Sequence, residues 1–308
     1  MTGTRMRIGV VVVPTDPWER TVADVRRLEA LGFDHVWVYD HLSWRRYHER
    51  AWHATYPWLA GLAMATSTIR LGTMVANLNV RHPLTLAKDA MTIDHISSGR
   101  FVLGLGAGGL GYDAAVLGQA PLSPRQRTER LAEAVPLIDG LLRGEVHDHH
   151  GRYFDVVDGR VLPGCVQRPR VPIAVAAGGP RSMGVAAEHG DAWITYGASG
   201  SWDPFPDDIS RTAGEQLRIV DEHCDRLGRD PATLDRIFMI DNGSERPLAS
   251  LDAFVDAIGR YAEMGFTDVV FHHPRADDPV WCDDAAILEQ IADEMLSAAF
   301  AASGGGHP

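Results

Sequence analysis

The stretch Leu28-Glu-Ala-Leu-Gly-Phe-Asp-His-Val-Trp-Val-Tyr-Asp-His41 changes its hydrophobic period halfway along. Leu28 and Leu31 close an apolar helix face that begins near Pro17, and Gly32 is the residue type that ends a helix in the left-handed conformation. Phe33 packs the turn, and His35 to Tyr39 is β-branched and aromatic in the manner of a buried strand. Asp40-His41 then puts two polar residues where the strand must leave the sheet. A helix–glycine–strand joint is a local device, so its recurrence decides the fold. Tyr261-Ala-Glu-Met-Gly-Phe266 repeats it ahead of a strand at Asp268 to Phe271, with no repeat period linking the two.

Working outward, strands are predicted at Ile8–Val13, His35–Tyr39, Arg70–Ala76, Phe101–Leu105, Val171–Ala176, Ala192–Tyr196, Arg236–Ile240 and Asp268–Phe271. Helices follow them at Pro17–Leu31, Trp52–Thr66, Pro83–Ile96, Pro124–Leu142, Pro180–His189, Ser210–Leu227, Leu251–Met264 and Ala285–Phe300. Strict alternation in that number predicts an α/β fold, a closed (β/α)8 TIM barrel. Three long insertions, Ser43–Tyr56, Gly106–Ser123 and Gly197–Asp208, follow the second, fourth and sixth strands, on the face where such barrels place chemistry. A fourth, Gly144–Arg170, precedes the fifth strand and is expected to form a hairpin. Residues 1–302 are expected to form a single domain and 303–308 a frayed Gly-rich tail.

The 308 residues are 45% hydrophobic and 23% charged, enough for a large core and incompatible with a disordered chain. Asp and Glu outnumber Lys and Arg by 41 to 29, a net charge of −12, and no basic stripe interleaves with aromatics, so nucleic acid is not an expected partner. Cys165, Cys224 and Cys282 are too few and too widely spaced for a disulfide framework. The first apolar run is too short for a signal core, and no stretch reaches the roughly 20 apolar residues of a membrane span. The expectation is a cytoplasmic protein that uses no membrane.

Gly104-Leu-Gly-Ala-Gly-Gly109 matches a dinucleotide fingerprint letter for letter. The fingerprint needs a helix at its third glycine and an acid about 20 residues on. No helix is expected before Pro124 and no strand-terminal acid lies at that distance, so the motif is read as a glycine loop that lets a flat ring or a phosphate approach the backbone. Ala176-Ala-Gly-Gly-Pro-Arg-Ser182 joins the fifth strand to a helix that can open at Pro180. Its free amides, its glycines and Arg181 make an anion pocket whose natural guest is phosphate, against the plainer reading of a tight turn. Asp40, His41 and Trp44 put a titratable pair and an aromatic wall at the barrel mouth, where histidine can move a proton near neutral pH. Neighbours on a strand face opposite ways, however, so Asp40 and His41 need not touch. His272 and His273 occupy the same rim and are candidate substrate contacts, as is Trp44. His147-Asp-His-His150 has the look of a metal cluster but falls in the hairpin insertion and is read as a polar surface turn.

Four stretches together resemble the bacterial luciferase-like oxidoreductases: Leu31–His41, Arg70–Ala76 with Arg81-His-Pro83, Asp94–Gly108, and Ala176–Pro180. They run in order over residues 7 to about 196. The resemblance implies a barrel that binds coenzyme F420, a deazaflavin, or alternatively FMN, at its strand ends. In the deazaflavin branch a non-prolyl cis peptide supports the ring, and the matching bond is Met74–Val75, followed by Ala76 and Asn77. By the same likeness Asp40 and His41 lie beside the ring. Gly106, Ala107 and Gly108 lie near its edge, and Ala176, Ala177, Gly178, Gly179, Pro180 and Arg181 surround the phosphate. The sequence departs from the family's sugar-phosphate dehydrogenases at Gly109, where their motif carries a proton-transferring glutamate, and it lacks the basic set that would hold a phosphorylated sugar.

The leading expectation is therefore an F420-dependent oxidoreductase working on a small organic substrate in the reducing direction, with His41 handling the proton and a homodimer as the family's usual assembly. The first rival is an FMN-dependent monooxygenase fed by a partner reductase. A metal-dependent barrel hydrolase using Asp40, His41, His272 and His273 is a more distant rival, and a non-catalytic flavin-binding relative is a third.

Overall fold

The computed structural model describes residues 5–42, 44, 47–109, 112–198, 209–240 and 245–296. The chain alternates β1 (Arg7–Val11), α1 (Trp18–Ala30), β2 (His35–Val38), α2 (Thr55–Ala65), β3 (Arg70–Thr73), β4 (Ala76–Asn77), α3 (Pro83–Ile96) and β5 (Phe101–Gly106). It continues through α4 (Tyr112–Val116), α5 (Pro124–Arg143), the hairpin β6 (His147–His150) and β7 (Asp155–Gly159), β8 (Ile173–Ala176), α6 (Pro180–His189) and β9 (Ala192–Thr195). The last part holds α7 (Ile209–Arg226), β10 (Asp235–Met239), α8 (Leu251–Met264), β11 (Asp268–His272) and α9 (Ile287–Ile291).

All barrel pairings are parallel, and β11 pairs with β1 to close the ring. β3 and β4 are one barrel strand interrupted at Met74–Val75, whose peptide bond is cis, and both halves pair with β5. The chain is thus the closed eight-stranded α/β barrel that the alternation implies. The helix–glycine–strand joint is built the same way twice. Gly32 and Gly265 both have positive φ, at 87° and 96°, and the Phe33 and Phe266 amides reach back to the Leu28 and Tyr261 carbonyls at 3.1 and 3.0 Å.

Side chains alternate across the strands. Even positions of β2, such as Val36 and Val38, pack between barrel and helices, while His35 and Trp37 fill the interior. Two glycines make room for them: a Cβ on Gly9 would stand 1.9 Å from the His35 ring, and one on Gly72 would stand 2.4 Å from Trp37. At the N-terminal end of the barrel Trp37 donates to His35 Nδ1 at 2.6 Å, so the His35 proton sits on Nε2, 3.0 Å from Asp268. Arg7 grips the same carboxylate with Nε and Nη2 at 2.7 and 2.6 Å. Burial alone would raise the Asp268 carboxyl, but His35 and Arg7 outweigh it and hold the group well below the usual carboxylate range.

The structure departs from the sequence expectations at several points. A helix does open after the glycine loop, at Tyr112, where none was expected before Pro124. It is five residues long, too short for its apolar period to register in sequence. The final helix runs regularly only from Ile287 to Ile291 and widens to a π turn over Ala292–Leu296. The expected hairpin forms within 144–170 as an antiparallel pair with a bulge. Parts of the insertions at 43–56, 106–123 and 197–208, the end of the last helix at 297–300 and the tail 303–308 lie outside the described residues.

Candidate active site

A cavity of about 310 Å³ opens at the C-terminal ends of the strands, within the size range of small-ligand pockets. Its wall includes Met74, Val75 and Asn77 from the interrupted strand, Gly106, Ala107 and Gly108 from the glycine loop, and Ala176, Ala177, Gly178 and Gly179 from the turn into α6. Ala76, by contrast, is fully buried in the core between barrel and helices. A Cβ on Gly106 would meet Val75 at 2.3 Å, so this glycine lets the Val75 side chain lie flat against the loop.

The alternation of β2 separates the Asp40–His41 pair. Tyr39 and His41 face the cavity. Asp40 faces the other way, is 2% exposed, and accepts from Arg81 Nε and Nη2 at 2.6 and 2.7 Å and from the Asn77 amide at 3.1 Å. Burial works against the Arg81 charge, but the Asp40 carboxylate outweighs it and keeps the guanidinium above its ordinary value. Arg81 also lies 4.3 Å over the Tyr56 ring. Asp40 is therefore a brace between β2 and the segment that leads into α3, away from the space a ring would occupy.

His41 Nδ1 lies 2.8 Å from Asp113 Oδ2, and its ring stacks on Trp44 at 5.9 Å and 23°. Trp44 lines the cavity and continues into an aromatic stack with Tyr47 at 5.6 Å and Trp281 at 6.1 Å. Trp281 in turn covers His272 at 3.7 Å. His272 is buried behind the wall, its Nε2 2.6 Å from the Tyr39 hydroxyl. His273 points to the opposite side of its strand, where burial pushes its imidazole below the ordinary value. Trp44 thus reaches the cavity, His272 supports it through Tyr39, and His273 does not approach it. Asp40, His41, His272 and His273 do not converge on a common point, and among the described residues no three or more His, Cys, Asp or Glu are grouped to hold a metal. The hairpin histidines pair separately, His147 with Glu145, His149 with Glu133 and His150 with Asp155.

At the anion cradle Gly179 caps α6, and Pro180 is its first residue. A Cβ on Gly179 would meet nothing within 4 Å, so the space over the helix start is open. The first-turn amides of a helix have no acceptor within it and carry its positive dipole end. Arg181 turns away, its side chain 62% exposed and 3.7 Å from Glu129. Ser182 takes its place in the wall, its hydroxyl donating to the Gly179 carbonyl at 2.9 Å.

Sequence reasoning missed Asp113, Tyr112 and Arg127, as well as the inward residues Tyr39, Ile194, Tyr196 and Met239. The last four were legible in principle, as the upper inward positions of strands already recognised. Arg127 comes from α5 and donates to the Gly109 carbonyl at 2.6 Å, a contact that no local pattern announces.

Residues 4–276 match the family described as luciferase-like monooxygenase. The chain is 31% identical to an F420-dependent glucose-6-phosphate dehydrogenase from Beutenbergia cavernae, over 87% of this chain and 89% of that one. It is 30% identical to a 4-hydroxyprotoasukamycin monooxygenase from Streptomyces nodosus subsp. asukaensis, over 76% of this chain and 61% of that one. Among solved structures, an F420-dependent secondary alcohol dehydrogenase in complex with an F420–acetone adduct superposes with a TM-score of 0.79 at 18% identity, covering 96% of this chain and 99% of that one. At that identity the likeness is one of fold.

Proposed function

The chain belongs to the luciferase-like monooxygenase family, and on that premise we propose that it is a coenzyme F420-dependent oxidoreductase that passes hydride between the deazaflavin and a small organic substrate, in the reducing direction. The observation that carries this reading is one cavity that joins a flat apolar slot, an open helix N-terminus and a histidine. Met74, Val75 and Gly106 to Gly108 suit a planar ring, and the first amides of α6 beyond Gly179 suit its phosphate. When bound, F420 supplies a two-electron hydride donor at a ring carbon. The chain's share is to hold the ring against the substrate, exclude water with Trp44, Tyr39 and Met239, and hold a proton at His41.

The substrate differs from that of the sugar-phosphate dehydrogenases. At Gly109 there is only a backbone, open to the cavity, and among the described residues Arg127 is the cation in the wall, already engaged by the Gly109 carbonyl. An uncharged substrate with an activated C=C, C=N or C=O bond fits this lining. The monooxygenase relative keeps FMN, with a partner reductase, as the second reading. The proposal includes a homodimer in the cytoplasm; no described helix is long and apolar enough to cross a membrane.

Titration of the purified protein with F420 and with FMN, followed by absorbance and fluorescence, tests the cofactor. Micromolar binding of F420 and none of FMN is expected. The reverse would replace the reading with the monooxygenase one.

A further inference from the structure

We propose that Asp113 is the positioning acid of His41: it holds the imidazole proton on Nδ1, so that Nε2 is the nitrogen that exchanges a proton with the substrate. The inference deepens the functional reading and rests on it for the role of His41.

Counting the donors around the carboxylate assigns the proton. The Asn79 amide donates to Asn77 Oδ1 at 3.0 Å, which fixes the Asn77 side chain so that its Nδ2 faces Asp113. That Nδ2 donates to Asp113 Oδ2 at 2.7 Å, and the Leu42 amide donates to Oδ1 at 2.6 Å. Both oxygens therefore already receive an N–H that cannot reverse its role, and an ionised, acceptor-only carboxylate satisfies them without a clash. His41 Nδ1, 2.8 Å from Oδ2, must then be the protonated nitrogen. With Nδ1 committed, Nε2 is the atom left for the cavity that His41 lines.

The chemistry follows. Bound F420 would supply hydride to the substrate carbon, and His41 would give its Nε2 proton to the heteroatom, or to the partner carbon of a C=C bond. His41 passes from imidazolium to the neutral Nδ1–H form and recovers its proton from water. Asp113 stays ionised throughout, stabilises the imidazolium and prevents the neutral ring from turning its proton inward. The buried aspartate of the serine-protease triad does the same for its histidine: it fixes the tautomer and stabilises the imidazolium without taking the proton itself.

The test reads the tautomer directly, in cofactor-free full-length protein. Long-range ¹H–¹⁵N correlation spectra of the imidazoles are recorded for the parent, for Asp113→Asn and for Asp113→Glu, with His41 identified among the 14 histidines by the signal lost in His41→Gln. The parent should show neutral His41 as the Nδ1–H form. In Asp113→Asn one of the converging donors must lose its acceptor and the population should move toward Nε2–H, while Asp113→Glu keeps the parent form. In turnover with F420, Asp113→Asn should lower kcat by about a hundredfold or more with KM within about threefold, and Asp113→Glu should restore part of it. An Nε2–H parent overturns the proposal, and the parent spectrum decides even if no variant folds. Absent F420 binding would sink the functional reading alone and leave this measurement standing.

Discussion

Arg81 and Asp40 form a two-point ion pair, Nε to Oδ2 at 2.6 Å and Nη2 to Oδ1 at 2.7 Å, around a carboxylate that solvent barely reaches. Planar guanidinium and carboxylate match in this geometry, and the low-dielectric surroundings make the pair costly to break from one side. Arg81→Met should strand the Asp40 charge and destabilise the protein by about 3–5 kcal/mol. Adding Asp40→Asn should recover part of the loss, because a neutral amide has less to lose on burial. Urea unfolding of the two variants checks this, and an unchanged midpoint in Arg81→Met would show that the pair contributes nothing.

Gly179 offers a test of the cradle that leaves the fold alone. Its backbone is extended, at φ −116° and ψ 156°, so a β-branched residue suits it, and a Cβ there meets only open space. Gly179→Val should therefore unfold within about 0.5 kcal/mol of the parent. The new methyl groups would occupy the space over the α6 amides, and F420 affinity should fall at least tenfold. Unchanged affinity would move the phosphate elsewhere.

The N-terminal end of the barrel makes a pH-dependent contribution. The Asp268 carboxyl is held well below its unfolded value of about 3.9, so below that pH the unfolded chain binds the proton that the native one refuses. The stability it confers is fully present above about pH 5 and is lost as the pH falls through 4 toward the depressed native value. Asp268→Asn should cost about 3 kcal/mol or more at pH 7, because an amide offers Arg7 and His35 one acceptor oxygen and no charge where the carboxylate offers two oxygens. The gap between parent and variant should narrow steadily between about pH 5 and 3. A gap that stays constant over that range would contradict the assignment.

How legible each feature was follows from how local its cause is. The barrel could be read because every strand and most helices carry their own period and their own stop signal, as Gly32 and Gly265 illustrate. The cradle could be read because glycines and a helix-opening proline are contiguous. Asp40 is different: residue type and position at a strand end suggested chemistry, but the even side of β2 faces Arg81, a partner 41 residues on. Asp113 was invisible for the complementary reason. It sits on a single turn of helix, and its tie to the site runs through Leu42, Asn77 and His41, which the sequence separates by 71, 36 and 72 residues.

Two of the cavity's proton-bearing groups, Tyr39 and His41, stand on neighbouring inward positions of the same strand end, and their surroundings distinguish them. Tyr39 has its hydroxyl 2.6 Å from His272 Nε2, deep among Trp281 and Met239, so its hydrogen is committed to the barrel interior or must return from a buried histidine. His41 borders the cavity with Nδ1 held by Asp113 and Nε2 uncommitted. A general acid must reach the accepting atom directly or through one water, and a positioned one contributes about 10²–10⁴ in rate. His41→Gln should accordingly lower kcat by about a hundredfold or more while F420 still binds, whereas Tyr39→Phe should lower it less than about tenfold and act mainly through KM. Steady-state kinetics with F420H2 and an activated enone, beside F420 titrations of both variants, make the comparison. If Tyr39→Phe proves the more damaging in kcat, the proton comes through the phenol and His272, and His41 serves only to shape the wall beside Trp44.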